Sequence, residues 1–214
     1  MKAIAINGSH RKGKNTAAML GLVLDVLEQG GVATELLEVS DLNIEFCNAC
    51  NRCLRKTECS IQDDDMPMVG RKLMAADAVI IGSPVYFSNV TSRLKRLMDR
   101  TRWMHMAENL LEGKLGAALT CAGLRNGGQE MTQLILERFL QGHGIHIVEA
   151  RDPRSGIYNL GPIGTLFGSF DGTSIHWNKN ALEDSLAVKT CQVLGQNLLR
   201  QVQESHSRGS EAES

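Results

Sequence analysis

Residues 47–59, CNACNRCLRKTEC, hold four of the chain's six cysteines. Cys47, Cys50, Cys53 and Cys59 stand at C-x2-C-x2-C-x5-C spacing. Thiolates this close can hold an iron–sulfur cluster or a zinc ion, form disulfides, or remain plain thiols. Structural zinc sites usually draw two ligands from each of two separated knuckles, so three cysteines in so short a run suit a cluster better. Cys47 and Cys50 alone also fit a redox-active C-x-x-C pair. With a single cysteine group, Cys59 must return to the cluster begun by the other three or leave one iron open. No proline follows Cys59, a departure from the bacterial ferredoxin pattern.

A second group of chemistry-bearing residues is NGSHRKGKNT at 7–16. Gly8 and Gly13 permit close backbone approach. Ser9, Asn15 and Thr16 offer polar side chains, and Asn15 or Thr16 can cap the helix that follows. Arg11, Lys12 and Lys14 bring positive charge. A helix N-terminus after a parallel strand is itself an anion site, so the loop suits a phosphate. It matches neither G-x-x-x-x-G-K-[ST] nor G-x-G-x-x-G, which disfavours a P-loop nucleotidase. A third group is GSPVYFSNVTSRLKRLMDR at 82–100. Ser83-Pro84 fixes a turn, Val85, Tyr86 and Phe87 can cover a flat ring, and Asn89 can bond a polar ring edge. The charged run RLKRLMDR reads as a solvated helix face. Cys121 and Cys191 read as buried small hydrophobes, with Cys121 near the presumed ring. The histidines show no metal-ligand spacing.

These groups need a scaffold. The chain has 214 residues, enough for one α/β domain with a full core. Its formal net charge of −1 gives no reason to expect a nucleic-acid partner. No apolar run reaches membrane-spanning length, and MKAIAING enters a strand pattern directly, so a cytoplasmic protein is expected. Reduced thiols there favour metal or redox chemistry over disulfides.

Apolar runs at 2–7, 32–39, 78–87, 114–123 and 145–150 read as strands. Helical spacing appears at 15–31, 63–77, 90–105, 127–144 and 181–203. Such alternation predicts a parallel sheet with helices on both faces. The expected fold is a single flavodoxin-like domain over 1–203, with strand order 2-1-3-4-5 and a ligand site at the carboxyl ends of strands 1 and 3. Residues 151–178 lack clear periodicity and read as an irregular interface segment. Residues 204–214 read as a disordered tail.

With these motifs in this order, residues 1–150 resemble the flavodoxin-like NAD(P)H-dependent FMN reductases. GSHRKGKNT is similar to their phosphate loop, and GSPVYFSNVTSRLKRLMDR to their G-S-P-x-Y loop and helix. CNACNRCLRKTEC is similar to the cysteine stretch of one branch, the iron–sulfur flavoproteins. The resemblance implies that Ser9, Arg11, Lys14, Asn15 and Thr16 bind the FMN phosphate. It places Pro84, Val85, Tyr86, Phe87 and Asn89 on one side of the isoalloxazine ring. Thr120, Ala122, Gly123 and Gly128 lie on the other. It makes Cys47, Cys50, Cys53 and Cys59 ligands of a [4Fe–4S] cluster. The implied activity is electron transfer between a one-electron carrier such as ferredoxin and a two-electron partner. The alternative is a cluster-free NAD(P)H-dependent FMN or quinone reductase. An open ring site and the aromatics of 151–178 lead to the expectation of a homodimer or homotetramer.

Overall fold

A computed structural model describes residues 1–158 and 161–212. Five parallel strands run β2-β1-β3-β4-β5 across one sheet: β1 (Lys2–Asn7), β2 (Ala33–Glu38), β3 (Ala78–Pro84), β4 (Leu115–Ala122) and β5 (His146–Ile147). They alternate with α1 (Asn15–Gln29), α2 (Met66–Ala75), α3 (Ser92–Arg100) and α4 (Gln129–Gly142), and α5 (Ser185–Ala212) closes the chain. The flavodoxin-like order expected from the alternation is present.

Period-two alternation sorts the strand residues onto two faces. Ile4, Ile6, Val79 and Ile81 meet the side chains of α2, α3 and α4. Ala3, Ala5, Ala78 and Ala117 turn the other way, toward α1 and α5. The small residues on that face leave room for two tightly packed helices. A Cβ on Gly195 would fall 2.8 Å from the Val26 side chain, so α5 rides directly on α1.

Three expectations are corrected. The fifth strand does not run through 145–150. β5 pairs only with Leu115 and Gly116, and β8 (Ile163–Thr165) takes over beside Thr120, Cys121 and Ala122. The edge of β4 is thus covered by two segments in succession. The region 151–178 is accordingly more ordered than its sequence suggests. It contains the β6 (Arg151–Asp152) and β7 (Ile157–Tyr158) hairpin, β8, and the β9 (Phe167–Phe170) and β10 (Ile175–Trp177) hairpin. The polar stretch 204–214, expected to be disordered, continues α5 through Ala212. There Arg208 pairs with Glu204 one turn back and His206 reaches Asp77. Residues 213–214 lie outside the described residues. Among the described residues no helix is long and apolar enough to cross a membrane.

The loop after β1 is clamped from the side. The Thr91 hydroxyl donates to the Gly8 carbonyl at 2.5 Å and accepts from the Leu94 amide at 3.1 Å, so one buried side chain caps α3 and holds the loop after β1. A Cβ on Gly8 would stand 2.4 Å from Leu94, which is why the loop can lie this close to α3. Thr91→Val keeps the volume and removes both bonds. It is expected to cost about 1–2 kcal/mol in urea unfolding, and an unshifted midpoint would deny the clamp any role.

Candidate functional site

A cavity of about 240 Å³ opens at the carboxyl ends of β1, β3 and β4. Its lining gathers Ser9, Arg11, Lys14, Asn15 and Thr16 from the first loop, Pro84, Val85 and Tyr86 from the third, and Cys121, Ala122 and Gly123 from β4 and the loop after it. Leu166, between β8 and β9, completes the wall. Four of the expected residues stand elsewhere. Phe87 is wholly exposed at φ 51°, and with Ser88 at φ 57° it forms a tight left-handed turn whose ends, Tyr86 and Asn89, bond each other. The Asn89 carboxamide oxygen accepts from the Val90 amide at 2.8 Å. Thr120 is buried, its amide donating to the Pro162 carbonyl and its hydroxyl to the Gln129 carbonyl. Gly128 holds φ 94° at the start of α4, where a Cβ would collide with Ser88. It therefore brings the third and fourth loops together without lining the cavity.

The first loop has unspent charge. Lys12 is paired with Asp41, whereas Arg11 and Lys14 have no carboxylate partner among the described residues. The N-terminus of α1 has no side-chain cap: Lys14 sits at the cap position, and the Asn15 carboxamide oxygen instead accepts from the Ala181 amide at 3.1 Å. The sequence expectation that Asn15 or Thr16 caps α1 is thus corrected. Uncapped amides and two free cations at one cavity end are what an anion requires. On the same lining, burial, seconded by Asp184 and opposed by Arg11, pushes the Cys121 thiol up to about 11, so it stays neutral near pH 7.

The cysteine stretch is an excursion between β2 and α2 with its ends tied together. The Asn43 amide donates to Asp65, and the Glu45 amide to Asp64. Ala49 and Asn51 both adopt left-handed backbone, at φ 53° and 58°, which turns the chain sharply on either side of Cys50. Cys47, Cys50, Cys53 and Cys59 are free thiols lining one hollow with Ser60, Ile61, Arg100 and Trp103. Cys50 and Ser60 share a hydrogen bond of 3.0 Å, the main reason the Cys50 thiol is held below its ordinary pKa. Among the described residues no three His, Cys, Asp or Glu side chains converge as one metal ion requires. A cube of iron and sulfide spreads its thiolates more widely than a single zinc ion does. Four thiols without disulfide bonds around one hollow are the donor set that an iron–sulfur cluster or a zinc ion would use.

Arg100 corrects the expectation of a solvated face. It is 1% exposed, and its guanidinium forms a two-pronged pair with Asp64 whose side chains are both shut off from solvent. Sequence reasoning missed both residues. The acidic run Asp63-Asp64-Asp65 was the available signal, since a carboxylate drawn inward needs a cation. One helix serves both sites: Thr91 and Pro84–Tyr86 lie at the N-terminal end of α3 and Arg100 at its C-terminal end, roughly 13 Å apart along the axis.

A doubly wound parallel sheet with a cavity at its switch point, between the first and third loops, defines a flavodoxin-like protein. The family model described as NADPH-dependent FMN reductase matches residues 1–151. An iron-sulfur flavoprotein of Methanosarcina thermophila is 37% identical over 157 residues, covering 73% of this chain and 82% of its own. An iron-sulfur flavoprotein of Archaeoglobus fulgidus is 33% identical over 202 residues, covering 93% and 94%. The solved NAD(P)H:quinone oxidoreductase from Methanothermobacter marburgensis superposes with a TM-score of 0.64 at 16% identity, covering 92% of this chain and 96% of that one, and is similar in fold. The chain belongs to the NADPH-dependent FMN reductase family, in its iron–sulfur flavoprotein branch, and is an oxidoreductase.

Proposed function

We propose that this chain binds FMN in the 240 Å³ cavity and a [4Fe–4S] cluster on Cys47, Cys50, Cys53 and Cys59, and moves electrons between a one-electron carrier such as ferredoxin and a two-electron partner. The observation that carries the flavin half is the meeting of Arg11, Lys14 and the uncapped α1 N-terminus at one end of a cavity bounded by Tyr86. Arg11, Lys14 and the α1 amides hold the phosphate, with Ser9 and Thr16 beside them. Pro84, Val85 and Tyr86 flank one side of the ring, Ala122 and Gly123 the other. Phe87 and Asn89 shape the rim turn, and Thr120 and Gly128 support the opposite loop. FMN supplies one- or two-electron chemistry and the cluster one-electron chemistry. A neutral Cys121 thiol beside the ring leaves the flavin free of a competing thiolate. No side-chain acid or base is assigned, because hydride passes between a nicotinamide and a flavin directly.

The second reading, a cluster-free NAD(P)H-dependent FMN or quinone reductase, is supported by the fold likeness to a quinone oxidoreductase. A cytoplasmic homodimer or homotetramer belongs to either reading. Exposed Phe87, Tyr158, Phe170 and Trp177 support the assembly, and light scattering tests it.

Two measurements decide. In fluorescence titration, FMN should bind far more tightly than riboflavin, which lacks the phosphate. Arg11→Ala should weaken FMN by about tenfold, the worth of one charge-assisted bond, and leave riboflavin unchanged. Equal affinities for the two flavins would sink the phosphate assignment. Protein purified without oxygen should carry about four irons and four sulfides per chain. FMN without sulfide would select the cluster-free reductase.

A further inference from the structure

Arg100 offers five N–H donors in a fixed fork. Four are accounted for: Nη1 donates to the Glu45 carbonyl at 2.8 Å and to Asp64, and Nη2 donates to the Ile61 carbonyl at 3.2 Å and to Asp64. The fifth, Nε–H, is buried and has no hydrogen-bond partner. A guanidinium gripped on one side by a carboxylate and two carbonyls cannot swing its Nε to another acceptor. An orphaned donor of this kind is costly to keep. Arg100 lines the same hollow as the four cysteines, and Cys59 is near enough to favour its charged form, both as a neighbouring thiol and as a weak hydrogen-bond partner. Among the groups lining the hollow, Cys59 is the thiol that acts on the Arg100 guanidinium, which makes its sulfur the acceptor to test for that donor.

We propose that Arg100 is a positioning residue of the cysteine site: its free Nε–H is held for the sulfur of Cys59, and its fixed charge raises the reduction potential of the cluster bound there. This rests on the cluster reading above. The physical basis is direct. Adding one electron makes the site one unit more negative, and a buried cation with a hydrogen bond to sulfur stabilises that product more than the oxidised state. Asp64 keeps the cation in place through the two-pronged pair.

The test is an oxygen-free redox titration of the holoprotein with dithionite and mediators, the cluster followed by electron paramagnetic resonance and the flavin by absorbance. Arg100→Lys keeps a charge but has no Nε donor in this position. Arg100→Met with Asp64→Leu replaces the whole pair by apolar side chains and covers the event that the lysine variant does not fold. The cluster potential is expected to shift downward in either variant while the flavin potential stays where it was. Loss of iron and sulfide from a variant that keeps its FMN and its melting behaviour also supports the proposal, since a role confined to folding would not act on the cluster alone. An unmoved or raised cluster potential in a folded variant overturns it. Wild-type protein with FMN and no sulfide sinks the cluster reading itself, and is recognised before any variant is measured.

Discussion

Asp64→Ala is expected to destabilise the fold by about 3–5 kcal/mol, the usual cost of stranding one member of a buried ion pair. Both side chains are shut off from solvent. The Asp64 carboxylate accepts from Arg100 and from the amides of Glu45 and Met66. Burial alone would raise its pKa, but these donors outweigh burial and hold it below the usual carboxylate value. Removing it leaves the Arg100 guanidinium buried with only carbonyl partners. It also unties the Glu45 end of the cysteine excursion. Arg100→Met with Asp64→Leu removes both charges together and should recover most of that loss, because an apolar pair of similar volume has no desolvation cost to offset. Urea unfolding of the two variants checks this. Equal losses in the single and the double variant would show that the pair contributes packing and little electrostatics.

A second large effect is an acid-side loss of stability from His143. Its ring is buried against Phe139, its Nε2 faces the Thr101 hydroxyl at 2.9 Å, and its Nδ1 has no partner. Burial first, and then the nearby His105, push its pKa from 6.5 down to about 4. The folded state therefore resists a proton that the unfolded chain accepts. Stability is intact above about 6.5 and falls as the pH drops toward about 4, by about 3 kcal/mol in total. Glu137, raised by burial, works in the opposite direction, since its folded form gains a proton before the unfolded one. The decisive quantity is therefore the difference between wild type and His143→Leu, followed by urea unfolding from pH 7 to pH 4.5. The variant should have a clearly flatter profile. Parallel profiles would mean that the ring is protonated without penalty. Asp64 does not confuse the result, because its contribution is lost only as the pH falls below the ordinary carboxylate range.

The parts of the site built from local chain were legible in the sequence. Gly8, Ser9, Arg11 and Lys14 announce an anion loop because glycines, cations and a following helix act over ten adjacent residues. Gly-Ser-Pro at 82–84 marks a turn at a strand end in the same way. The alternation of apolar runs fixed a parallel sheet, since parallel neighbours require crossovers. Five such strands fit the order 2-1-3-4-5, and the cavity lies at its switch point.

What only the tertiary structure decided depends on pairs far apart in the chain. β8 beside Thr120, rather than a longer β5, reflects a competition for one edge of β4 that no local pattern encodes. The helical run to Ala212 rests partly on His206 finding Asp77. Arg100 lies in a run whose composition favours solvent. It is buried because the excursion that carries the cysteines folds back over the end of α3 and presents Asp64 to it. Whether a charged side chain is inside or outside is set by what covers it and what neutralises it. Both are supplied here by residues some forty positions away. The sequence by itself determined which residues can do chemistry and the sheet that gathers them. The three-dimensional packing decided which of them face one cavity, and placed a cation with an unused donor beside the thiols.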